Sequence, residues 1–276
     1  MEKKEFLKAA NDTRKNIITS LHSAKSGHPG GSLSAADIFT YLYYIEMKVD
    51  PEKPDDPDRD RFVLSKGHTA PGLYAVLAQR GFFPEEDLIT LRHLGSYLQG
   101  HPDMKLTPGV DMSTGSLGQG LSAAVGMALA GKMDKKDYRV FCLCGDGEMQ
   151  EGQIWEAAMF AGARNLDNLC VIVDNNNLQI DGPIDEVCSP YPLDKKSEAF
   201  NFYVINVADG NDFDQLKSAF DEARGVKGKP VCIIAKTVKG KGVSFMEDVV
   251  GWHGKAPNDE EYKLAMADLQ AIEEAI

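Results

Sequence analysis

Four short stretches of this chain are apolar at nearly every position rather than at alternate ones, YRVFCLC (138–144), NLCVIVD (168–174), FYVINV (202–207) and VCIIAK (231–236), and FVLSKGH (62–68) reads as a further short strand leading into a turn. A strand with one face in water alternates, whereas a strand covered on both faces does not. Between the later stretches lie segments with helical spacing, at 121–133, 151–164 and 212–225. The alternation predicts an α/β fold, doubly wound, with a mainly parallel sheet and helices on both faces. No convincing boundary interrupts it, so residues 1–276 read as one domain.

The N-terminal part adds helices. Phe6, Ala9, Ala10, Thr13, Ile17, Ile18 and Leu21 recur at helical spacing and predict a helix over 3–24, stopped by SGHPGG (26–31). Ser34 reads as the N-cap of a second helix over AADIFTYLYYIEM, and a further helix is expected over 71–80. With 276 residues, 43% of them hydrophobic, the chain buries an ordinary core. Its net charge of -12 argues against nucleic acid or an anionic membrane as a general partner. Five cysteines without CxxC spacing fit neither a zinc site nor a disulfide framework. The N-terminus lacks an apolar signal core and no stretch approaches 18 apolar residues, which points to a reduced cytosolic compartment.

Ligands of open α/β sheets gather beyond the carboxyl ends of the strands. Two polar motifs sit there: Gly145-Asp146-Gly147 after one apolar run, and Asp174-Asn175-Asn176-Asn177 closing the next. Neighbouring strand ends of this kind offer a carboxylate, amide oxygens and backbone carbonyls to one point, a hard-oxygen set for Mg²⁺ or Ca²⁺. So few protein ligands suit Mg²⁺ best, because waters and phosphates complete its shell. Glycines beside Asp146 let a phosphate approach the backbone, near the start of a helix at about Glu151. The plain alternative is a tight turn with a capping Asp, followed by an Asn-rich turn. The dinucleotide fingerprint is excluded, because Gln150 stands where a third glycine belongs.

Four of the six histidines lie in loops marked by Gly or Pro: His28 in SGHPGG, His68 in SKGHTA, His101 in QGHPD and His253 in GWHGKAP. Imidazoles so placed shuttle protons and bind hydroxyl or phosphate oxygens near neutral pH. His22 and His93 stand in helical contexts and read as structural.

The motif set SGHPGG, FVLSKGH, GHP at 100–102, STGSLGQG, GDGEMQEGQIWE, DNNNLQIDG and the HG-xP segment at 253–257 resembles transketolase, in order over most of residues 20–260. The resemblance implies thiamine diphosphate as cofactor. It implies Asp146, Asn176 and the Leu178 carbonyl as Mg²⁺ ligands. Gly147 would contact the diphosphate, and Gly115, Ser116 and Leu117 would line the cofactor pocket. His68 and His253 match positions near diphosphate and substrate; His28 and His101 match positions around the donor sugar. Glu151 and Glu156 match acidic residues at the family's subunit interface. The loop reads GSLG where GPLG is expected, a change of stiffness rather than chemistry.

A typical transketolase continues with a second domain that binds the aminopyrimidine ring and supplies an activating Glu. The resemblance therefore implies the N-terminal subunit of a split enzyme, completed by a separate C-terminal subunit. That enzyme would act on sugar phosphates and assemble as a dimer or heterotetramer. The implied reaction moves a two-carbon ketol unit from a ketose phosphate to an aldose phosphate. Rival readings are a 1-deoxyxylulose-5-phosphate synthase, a 2-oxoacid dehydrogenase component, and a nonenzymatic cofactor-binding subunit. SGHPGG and the GDG-x-x-x-EG-x-x-x-E pattern weigh against the first two, and the Asp146/Asn176 pair with the loop histidines against the third.

Overall fold

The computed structural model describes residues 1–276. In chain order, helices α1 (Lys3–Ala24), α2 (Pro29–Ser34) and α3 (Ala36–Tyr41) precede strand β1 (Arg61–Leu64) and helix α4 (Ala70–Gln79). Helix α5 (Gln119–Met133), strand β2 (Val140–Gly145), helix α6 (Gly152–Ala163) and strand β3 (Leu169–Asn175) follow. A two-residue ladder of β4 (Leu178–Gln179) and β5 (Gly182–Pro183) leads to α7 (Ile184–Val187) and α8 (Leu193–Ala199). Strand β6 (Tyr203–Val207), helix α9 (Phe213–Gly225), strand β7 (Val231–Lys236) and helix α10 (Asp259–Ala275) come last.

Five strands form one sheet in the order β1-β2-β3-β7-β6, and every pairing is parallel. The continuous apolar runs of the inner strands have the expected cause, whereas β6, at the sheet edge, leaves Tyr203 and Asn206 exposed. On β2, Phe141 and Leu143 enter the core shared with α1, α3, α4 and α9, while Val140, Cys142 and Cys144 enter the core under α5 and α6. On β3, Cys170 and Ile172 face the first core, and Leu169, Val171 and Val173 the second. Successive side chains point to opposite faces, so a strand buried on both must be apolar throughout.

Four local expectations fail. SGHPGG does not stay outside helices: Pro29 opens α2, which contains Gly30 and Gly31, and Ser34 ends α2 instead of capping the next helix. Proline is pre-organised for a first helical turn. The glycines are retained by crowding, since a Cβ on Gly30 would lie 3.0 Å from the Trp252 carbonyl and one on Gly31 would lie 2.9 Å from the Thr69 methyl. The second helix also ends early, at Tyr41, and passes into a π-helical turn over Leu42–Glu46. His93, expected in a helix, lies in a turn after the 3₁₀ segment Glu85–Thr90. His22 is in α1 and bonds Asp259 at 2.8 Å while stacking on Tyr262.

No helix is long and apolar enough to cross a membrane.

Candidate active site

The carboxyl ends of β1, β2, β3 and β7 converge on a cavity of about 350 Å³. Asp146, one residue beyond β2, is 2% exposed. Its two oxygens accept from the Gly147 amide at 2.9 Å and the Asn177 amide at 2.5 Å. The Asn177 contact brings the end of β3 against the end of β2, in line with the parallel register that pairs Gly145 with Asp174. Asn176 and Leu178 line the same cavity. The Asn176 side chain is oriented by donating to Asp174 at 3.1 Å and accepting from the Leu178 amide, also at 3.1 Å.

Asp174 itself is not a free ligand. Fully buried, its carboxylate accepts from Lys66, from the Thr237 hydroxyl, and from the Ser34 hydroxyl at 2.6 Å. Burial alone would raise this carboxyl, but Lys66 and the hydroxyls overcome it and hold it below the usual carboxylate range. Asp146 has no such cation bonded to it. Burial, and next the charge of Asp174, push it up to about 7, against the pull of the Asn177 and Gly147 amides and Lys239. A cation placed at Asp146 would remove that cost.

Three of the expected histidines pack ring to ring. The ring centres of His28 and His68 are 5.1 Å apart, those of His68 and His253 5.2 Å, and those of His28 and His253 5.5 Å. Burial first, then surrounding positive charge, lowers all three: His28 to about 4, His253 to about 3, and His68 well below the usual value. Lys239 donates to His253 Nδ1 at 2.9 Å and to the Leu178 carbonyl at 2.8 Å. An ammonium cannot accept, so Nδ1 must, and neutral His253 carries its proton on Nε2. His28 Nδ1 is buried without a partner.

The cofactor-loop residues divide. Gly115 and Leu117 line the cavity, whereas Ser116 is exposed and does not. Gly67 and Gly115 touch so closely that a Cβ on Gly67 would lie 2.7 Å from the Gly115 amide, which presses the SKGH turn onto this loop. His101 is exposed at the rim, and its ring lies 3.0 Å from where a Gly115 Cβ would be. Glu151 borders the cavity, and Glu156 is exposed on α6. Lys66, Asp174, Lys239 and Glu148 also line it; Asp174 belongs to the polar motif that closes its strand, and no sequence signal singles out the other three for a role. Lys239 lies in KTVKGKG, which by itself reads as a solvated basic segment, and Lys66 is one unmarked residue inside FVLSKGH.

The donor set suits a Mg²⁺-bound diphosphate. One carboxylate, one amide and one carbonyl are all hard oxygen ligands, and nowhere do three His, Cys, Asp or Glu side chains form a metal-binding group. Gly147 keeps the wall low, since a Cβ there would come within 3.3 Å of the Gln179 amide oxygen. Lys66 and Lys239 add positive charge to a chain of net charge -12.

Residues 7–271 match the family described as transketolase, thiamine diphosphate binding domain. A protein of Clostridium sp. (strain MSTE9) named 6-deoxy-6-sulfo-D-fructose transketolase subunit SqwG is 48% identical over 95% of this chain and 94% of its own. A protein of Phocaeicola vulgatus, named as one subunit of an apulose-4-phosphate transketolase, is 43% identical over 93% of this chain and 90% of its own. The crystal structure of transketolase from Campylobacter jejuni superposes with a TM-score of 0.92 at 34% identity, covering 100% of this chain. This chain spans only 46% of that enzyme's length. Sheet order, cavity and relatives agree, and the chain belongs to the transketolase family as a thiamine diphosphate binding domain.

Proposed function

We propose that this chain is the diphosphate-holding subunit of a two-chain transketolase, with Asp146, Asn176 and the Leu178 carbonyl holding Mg²⁺. The observation that carries the proposal is the Asp146 carboxylate, buried and raised to about 7 in a cavity shared with Asn176 and Leu178. Thiamine diphosphate, when bound, supplies the nucleophilic carbon and electron sink that carbon–carbon bond cleavage requires. Gly147 leaves the backbone open to the diphosphate, Gly115 and Leu117 line the cofactor pocket, and Lys239 supplies counter-charge beside the Leu178 carbonyl. Ser116, exposed and outside the cavity lining, would reach the cofactor only through its place in the loop between Gly115 and Leu117.

His28, His68 and His253 face the reacting end of the sugar as neutral imidazoles, able to donate or accept a proton at neutral pH. With His253 Nδ1 occupied by Lys239, its Nε2–H is the donor available to a substrate oxygen. His101, at the rim beyond Gly115, would meet the donor sugar as it enters.

A separate C-terminal chain would complete the site. The near-full coverage of two relatives named as subunits supports this, as does the 46% coverage of the single-chain enzyme. The substrates would be a ketose phosphate donor and an aldose phosphate acceptor. Relatives named for apulose 4-phosphate and 6-deoxy-6-sulfo-D-fructose place both sugars in the assay panel.

The test mixes the chain with its candidate partner, thiamine diphosphate and Mg²⁺, and follows ketol transfer from xylulose 5-phosphate, and from each of the two named sugars, to ribose 5-phosphate as the aldose acceptor. Transfer that needs both chains is expected. An assembled complex that transfers no ketol unit would refute the reaction, and turnover by this chain alone would refute the two-chain site.

A further inference from the structure

Behind the Asp146 turn lies a carboxylate that makes no part of the metal and histidine clusters. Glu148 sits two residues after Asp146, in the 3₁₀ turn Gly147–Gln150, and is 3% exposed. Its Oε1 accepts from the Ser65 hydroxyl at 2.5 Å and from the Gly118 amide at 2.9 Å. Its Oε2 accepts from the Gly145 amide at 3.1 Å. These donors belong to three separate segments: the residue after β1, the N-cap of α5 that closes the GSLG loop, and the last residue of β2.

We propose that Glu148 is a positioning residue that locks the Gly115–Gly118 loop to the Asp146 turn and so sets the width of the diphosphate cavity. The inference rests on the diphosphate reading above. Three features carry it. First, all three partners donate to it: burial raises this carboxyl, and the Ser65, Gly118 and Gly145 donors pull against that and favour its charged form. Second, Gly118 stands at the N-terminus of the fifteen-residue helix α5, where a negative charge is favoured. Third, the joint is tight on both sides. A Cβ on Gly118 would lie 2.8 Å from the Glu151 Cβ, and one on Gly120 would lie 2.6 Å from the Ser65 Cα. The loop therefore cannot change its distance from the Asp146 turn without breaking a bond to Glu148.

Glutamine cannot replace this carboxylate. In either orientation its NH₂ faces a backbone N–H, of Gly145 or of Gly118, and leaves that donor unpaired. E148Q should therefore loosen the cofactor side of the site while leaving the sugar side alone.

The test compares wild type, E148Q, E148D and S65A in the two-chain complex. Calorimetric titration at saturating Mg²⁺ gives the half-saturating thiamine diphosphate concentration. Steady-state assays at saturating cofactor give kcat and the sugar KM. For E148Q the half-saturating concentration should rise about ten- to a hundredfold. Its sugar KM and its kcat at saturating cofactor should stay within about twofold of wild type. E148D and S65A, which keep the charge or remove one donor, should shift cofactor affinity in the same direction by less. A purely structural role would lower the melting temperature without separating cofactor affinity from sugar KM. Unchanged half-saturation in E148Q would overturn the proposal, as would a loss shared equally by cofactor and sugar. If E148Q does not fold, unchanged half-saturation in S65A overturns it. A wild-type complex without Mg²⁺-dependent cofactor binding would overturn the diphosphate reading and this proposal together.

Discussion

At the scale of single residues, the site depends on what surrounds each titratable group. Asp146 and Asp174 end adjacent strands, yet Asp174 is ion-paired to Lys66 and Asp146 is held only by backbone amides and the more distant charge of Lys239. Asp146→Ala should therefore weaken Mg²⁺-dependent thiamine diphosphate binding by at least about a hundredfold. The melting temperature of the cofactor-free chain should barely change, because water in the cavity can pair the freed amides. Calorimetry and a thermal melt on one sample check both. His28→Ala should lower turnover by about a hundredfold, the scale of a lost general acid or base, while moving cofactor half-saturation far less. The reverse pattern would place His28 against the cofactor. Asp146, His28, His68 and His253 are legible in the sequence because glycines and proline set each off from its surroundings. Lys66 and Lys239 are not, because a buried lysine and a solvated one read alike until the partner is known, and the Asp174 partner of Lys66 lies more than a hundred residues away.

At the scale of elements, the inner strands are legible because burial on both faces imposes composition directly. Helix α2 is not, because glycine spacing looks the same whether it breaks a helix or lets two segments touch. Helix α5 allows the two roles of glycine to be compared within one element. Gly120 is pressed against Ser65, whereas nothing lies within 4 Å of a Cβ built on Gly126. Gly120→Ala should cost about 1–3 kcal/mol through overpacking and weaken cofactor binding as the GSLG loop shifts. Gly126→Ala should stabilise the isolated chain by about 0.5–1 kcal/mol, through lower chain entropy and better helix propensity. Denaturant melts of the two variants measure both signs, and equal effects would mean that α5 does not press on β1.

At the scale of the whole molecule, four strand ends gather three neutral imidazoles and a raised carboxyl, which links overall stability to pH. In the unfolded chain the histidines take protons near pH 6.5, whereas folded His28 does so at about 4 and His253 at about 3. Between those limits the unfolded state binds more protons, so these groups remove stability as pH falls. Asp146, raised to about 7, acts oppositely, because the folded chain takes its proton first and gains stability as pH falls through 7. Glu148, also raised by burial, acts in the same sense as Asp146, and the three imidazoles outnumber these two cavity carboxyls. The metal-free melting temperature should fall between about pH 7 and about pH 4.5, and more steeply in Asp146→Asn. A flat profile in that variant would contradict a neutral histidine cluster.

From the sequence alone came the fold class, most element positions and the identity of a diphosphate-type site, because apolar periodicity and Gly-marked motifs are local properties. The tertiary structure decided which groups meet. Parallel register puts the Asp146 turn against Asn177, the PGG end of SGHPGG opens a helix whose glycines are crowded by Trp252 and Thr69, and burial beside positive charge keeps the histidines neutral. Those outcomes depend on distances between segments far apart in the chain, and pairwise electrostatics and steric contact exist only once the sheet has brought the segments together.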